Sequence, residues 1–97
     1  MRIEGNEARV VRVDGAILSA QRSQHLWNHS PDGFNWGYAG SGPAQLALAI
    51  LLAAGLTDAR ALHLHQAFKR DFVQHWPAGR PFVMDVDIDA WLHGHDT

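Results

Sequence analysis

The spacing of apolar positions changes along the chain, and each change predicts an element. Arg2-Ile3-Glu4 reads as a short strand, and Arg9 to Val13 as a second, β-rich one. Asp14-Gly15 is a two-residue hairpin signal, with Ala16-Ile17-Leu18 as the returning strand. Residues 19–28 are polar without a period and read as a loop or a short helical turn, anchored by Leu26 and Trp27. Ser30-Pro31-Asp32-Gly33 suits a type I turn, with glycine taking the positive φ that follows. From Phe34 to Tyr38 the pattern alternates. That predicts a strand with Phe34, Trp36 and Tyr38 on one face and Asn35 and Gly37 on the other, the three aromatics either covering the central helix or forming an exposed platform for a ligand or partner.

Between Pro43 and Ala54 the only polar side chain is Gln45. A helix that is apolar all round is buried all round. Its start is expected at Gly40-Ser41-Gly42-Pro43, with Ser41 or Gly42 as the N-cap, and its end at Gly55. Thr57 then caps a second helix over 58–75, in which Ala61, Leu64, Phe68 and Phe72 share a face opposite Arg60, His63, Arg70 and Gln74. Trp76-Pro77-Ala78-Gly79 ends it. Phe82, Met84, Val86 and Ile88 alternate with Val83, Asp85, Asp87 and Asp89, a strand with an acidic outer face suited to a sheet edge. As an alternative, Asp87 ends the strand and caps a last helical turn carrying Ile88, Trp91 and Leu92. The expected fold is a single α+β domain over 1–97. A small, mainly antiparallel sheet packs on the buried helix 43–54, and an antiparallel amphipathic helix 58–75 covers the other side.

Composition narrows the function. Eight basic against ten acidic residues give a net charge of −2, which offers no electrostatic footprint for nucleic acid. The eight Lys and Arg residues are also scattered along the chain. There are no cysteines, so disulfide and thiolate chemistry are excluded. The first residues lack a signal-peptide layout, and the apolar run 46–54 is far short of the ~20 residues of a membrane span, so a cytoplasmic protein is expected.

Candidate chemistry is sparse. Gly40-Ser41-Gly42 at a helix N-terminus suits a small anion, because free N–H groups and the helix dipole meet there. It has neither the P-loop spacing nor that of a nucleophile elbow. His29, Asp32, Tyr38 and Ser41 supply the residue types of a small-ligand or hydrolytic site. His63 and His65 point apart on a helix, and His65, on the apolar face, reads as a buried hydrogen-bonded group. Asp85, Asp87 and Asp89 lack the glycine and glutamate of a calcium loop, and His93 to Asp96 reads as a frayed tail. No cofactor or metal is expected.

The run from Asn28 to Leu51, with His29-Ser30-Pro31-Asp32-Gly33-Phe34, Trp36-Gly37-Tyr38 and Gly40-Ser41-Gly42-Pro43-Ala44 at its centre, resembles a small family of uncharacterised bacterial, phage and plasmid proteins. Val11-x-Val13-Asp14-Gly15 and Ala67-Phe68-Lys69 extend the resemblance. Pro81-Phe82-Val83-Met84 departs from it where a tryptophan is expected. The resemblance implies a compact α+β domain in a mobile-element setting and carries no activity. The expected function is a non-enzymatic module that binds a host protein partner, with inhibition of a host defence complex such as CRISPR as one form of it. Its contacts would come from exposed parts of Trp27, Trp36, Tyr38 and Trp91, because aromatic residues dominate binding hot spots.

Overall fold

The computed structural model describes residues 1–95. β1 (Arg2–Gly5), β2 (Val11–Val13), β3 (Ala16–Ile17) and β4 (Phe82–Asp85) form one antiparallel sheet in the order β3-β2-β1-β4. Asp14 (φ 49°) and Gly15 (φ 86°) make the β2–β3 hairpin, both in the left-handed region that such a two-residue turn needs. Ile3 pairs with Val13 on one side and Met84 on the other, which sets an apolar inner face. β4 is an edge strand, as its acidic outer residues suggest. It stops at Asp85, short of the strand to Asp89 that the alternation predicts, and the alternative reading holds: Asp87 accepts a hydrogen bond from Ala90 N–H (3.0 Å) to cap α4 (Ile88–His93).

α1 is short (Gln21–Leu26), α2 spans Ser41–Ala53, and α3 spans Asp58–Asp71. Every residue of α2 from Gly42 to Leu52 is buried. It packs most extensively on α3, and Ile3, Val11 and Phe82 of the sheet join both helices in one core. Gly55 takes φ 94° just past the helix, a position at which a side chain would be strained. Among the described residues, no helix is long and apolar enough to cross a membrane.

Four further expectations fail, each for a tertiary reason. Residues 34–38 form no strand. Trp36 N–H donates to Asn35 Oδ1 (2.9 Å) and Gly37 N–H to Val73 O (3.0 Å), so these two groups find partners outside any ladder. Gly37 sits at φ 86°, and a Cβ there would lie 2.4 Å from Ala78 Cα. Its turn ends the alternation, so Phe34 and Trp36 point inward while Tyr38 is 46% exposed.

The second failure is the N-cap of α2, which is neither Ser41 nor Gly42 but Gly40, with no side-chain cap. The Tyr38 ring lies over that glycine, and a Cβ there would come within 2.4 Å of Tyr38 Cε2. The third is the second helix, which ends at Asp71. A 3₁₀ turn at Val73–His75 follows, and its Val73 carbonyl receives the Gly37 N–H. The fourth is the tail. His93 closes α4, and His95 packs on Trp91 with ring centroids 4.3 Å apart; Asp96 lies outside the described residues.

Candidate functional site

Among the described residues, three buried polar side chains, Ser23, Gln45 and His65, all serve the segment 23–30. Gln45 projects from the second turn of α2. Its Nε2 donates to Ser23 Oγ (2.9 Å) and Trp27 O (3.1 Å), and its Oε1 accepts Ser30 N–H (3.0 Å). Ser23 Oγ donates onward to Ala20 O (2.8 Å). The amide therefore uses both ends, and burying it costs little beyond ordering. The lone polar residue of an otherwise apolar helix is what ties down the loop beside it.

His65 extends this patch from α3. Its Nδ1–H donates to Leu62 O (2.7 Å), because a carbonyl can only accept. In the neutral ring that leaves Nε2 as an acceptor, and His29 Nε2–H donates to it at 2.9 Å. Burial lowers the pKa of both rings below the usual histidine value of 6.5; the positive charge of Lys69 acts the same way, while backbone hydrogen bonds to His65 oppose it. Trp27 stacks on His29, with centroids 5.0 Å apart and planes within 9°, and remains 56% exposed. The result is a fixed aromatic shelf.

The Phe34–Tyr38 segment builds the second region. Trp36, 2% exposed, donates its indole N–H to both Pro77 O and Arg80 O at 2.9 Å. It thereby braces the 77–80 turn. Above it lies a cleft of about 210 Å³ lined by Asn35, Trp36 and Tyr38, by the loop residues Asn6, Glu7 and Arg9, and by Ala78, Gly79 and Arg80. Tyr38 forms one wall, its ring covering Gly40 and its hydroxyl beside Gly42.

The residues singled out from sequence thus fall into separate groups. Trp27 and His29 belong to the shelf, while Trp36 and Tyr38 belong to the cleft. Ser41 is exposed in the first turn of α2 and makes no capping bond. Asp32 is exposed in the turn closed by Gly33 N–H to Ser30 O (3.2 Å). His29 directs its hydrogen bond to His65 rather than to Asp32 or Ser41. Trp91 is tied inward, with Nε1–H on Asp71 Oδ2 (2.8 Å) and its ring edge-on to Phe68. Among the described residues, no group of three or more His, Asp or Glu is arranged to hold a metal.

Gln45, Arg9 and Arg80 are not among the site residues expected from the sequence. For Gln45 a signal existed, since a single polar residue in an apolar helix needs an internal partner. For the arginines no local signal existed, because each lies in a loop distant in sequence from Tyr38.

No curated protein and no solved structure matches the chain. The model of one family matches residues 1–94, and its match takes in both the shelf and the cleft, so the chain belongs to the Family of unknown function (DUF6166).

Proposed function

We propose that this chain is a small, non-enzymatic protein-binding module that presents a pre-ordered aromatic surface to a partner. One observation carries the reading: among the described residues, the buried polar side chains Ser23, Gln45 and His65 all bond within or onto the segment that carries the exposed Trp27. Exposed tryptophan gains little from folding, yet here its main chain is fixed by Gln45 and its ring by His29. A pre-ordered tryptophan meets a partner without the entropy cost of immobilising it, which is how aromatic anchors come to dominate binding energy. The resemblance to phage and plasmid proteins makes a host protein the natural partner, and a host defence complex such as CRISPR one candidate.

The test is capture from a lysate of the native host by the immobilised protein. A stoichiometric partner is expected with the wild type and not with Trp27→Ala, whose thermal stability stays close to the parent's. Absence of any stoichiometric partner on the wild type overturns the proposal.

A further inference from the structure

The cleft beside Tyr38 brings together two arginines from separate loops, Arg9 from the turn after β1 and Arg80 from the turn before β4. We propose that it is a socket for a single carboxylate side chain of a partner protein, held by Arg9 and Arg80 against the Tyr38 ring. This rests on the reading of the chain as a partner-binding module and specifies the chemistry of one contact.

The charges are available. Among the described residues, neither guanidinium has an ion-pair or hydrogen-bond partner. Arginine matches a carboxylate with paired N–H donors, and Tyr with Arg is the composition of binding hot spots. The walls are also fixed. Asn6 Oδ1 accepts Ala8 N–H (2.9 Å) and Val10 N–H (3.0 Å), closing the loop that carries Arg9. The Arg80 carbonyl is held by the Trp36 indole.

Arg9 itself sits at φ 62°, where glycine fits without strain and a side chain does not. Strain of this kind gathers at functional sites. Size then selects the occupant. About 210 Å³ is below the ~300–1,000 Å³ of small-molecule sites, so the cleft takes one side chain rather than a whole ligand. Glu7 on the same wall leaves the lining with one net positive charge, which suits a monoanion better than a phosphate dianion.

The experiment is an NMR titration with acetylated, amidated Gly-Glu-Gly, its Gly-Gln-Gly counterpart and inorganic phosphate. The signals followed are the Arg9 and Arg80 Nε–Hε groups and the Tyr38 ring. The glutamate peptide is expected to shift all three saturably, with affinity about tenfold above the glutamine peptide. Arg80→Ala removes about that factor, and Glu7→Gln raises affinity severalfold. Arg9→Gly loses binding while its melting temperature rises, because the strain is gone.

Equal response to the two peptides overturns the socket, as does tighter saturation by phosphate, which would assign the cleft to a free anion. In lysate capture, a partner retained equally by Arg80→Ala and wild type but lost by Trp27→Ala overturns the socket and leaves the binding module standing. Loss of no partner by either variant, because none is captured, overturns the module itself.

Discussion

Trp36 and Trp27 are the same residue put to opposite uses. Trp36 is sealed in the core, edge-on to Phe82 at 4.8 Å, with its indole N–H shared between two carbonyls. Trp27 lies in the open, held by its main-chain carbonyl and by the flat face of His29. The first tryptophan stabilises the fold by removing a large apolar surface from water. The second contributes little of that kind, and the buried amide of Gln45 keeps it where it is. Where a side chain's polar atoms go thus separates a residue that builds the molecule from one the molecule displays.

Substitutions should separate the two roles, and the largest effect belongs to Trp36. Trp36→Ala leaves a cavity and strands the Arg80 carbonyl, while Pro77 O keeps the Arg80 N–H. It is expected to cost about 3–5 kcal/mol, read as a shift in the urea midpoint. A loss below about 1 kcal/mol would mean the core does not depend on this ring.

Next comes Gln45→Ala. It leaves Ser30 N–H without its partner and Trp27 O with only the His29 N–H, and is expected to cost about 1–3 kcal/mol. Its distinguishing sign is local: faster hydrogen exchange at Ser30 and lower fluorescence anisotropy in a variant that keeps Trp27 as its single tryptophan. A cost in stability with Trp27 equally rigid would detach the shelf from the amide.

The histidine pair adds a pH dependence. Both rings have folded pKa values lowered by burial, so the fold prefers them neutral and the unfolded chain takes up protons first. The stability they contribute is present above the unfolded value of 6.5 and is lost as pH falls through it toward the folded values. A proton at His65 Nε2 also removes the acceptor for His29. The melting temperature should therefore fall between pH 7.5 and 5.5, and less steeply in His65→Gln. Equal slopes in the two proteins would place the sensitivity elsewhere.

The smallest thermodynamic effect is that of Trp27→Ala, within about 0.5 kcal/mol of wild type. If it rivals Trp36→Ala, Trp27 is a structural residue after all and the contrast between the two collapses.

Much of the fold was legible because it is local. Asp14-Gly15, the turn at 30–33, the caps at Thr57 and Asp87, and the apolar run of α2 each depend on a few adjacent residues, and all hold in the structure. His65 as a buried, hydrogen-bonded ring was legible too, from its place on the apolar face of α3. The strand expected at 34–38 was not local in this sense. Its alternation correctly sent Phe34 and Trp36 inward, but a strand also needs a neighbour to bond, and the neighbour that Gly37 finds is the Val73 carbonyl. The cap of α2 failed similarly, since a residue packed over it from Tyr38 decides which side chains fit.

Taken alone, the sequence determined the hairpin, the buried helix, the helix that follows it and the α+β class, because propensity, periodicity and turn chemistry act over a few residues. Only the tertiary structure decided which aromatics face water, that His29 meets His65 across 2.9 Å, and that Arg9 and Arg80 share a cleft. Those contacts join residues far apart in the chain, where packing and the pairing of polar groups are settled by the whole fold.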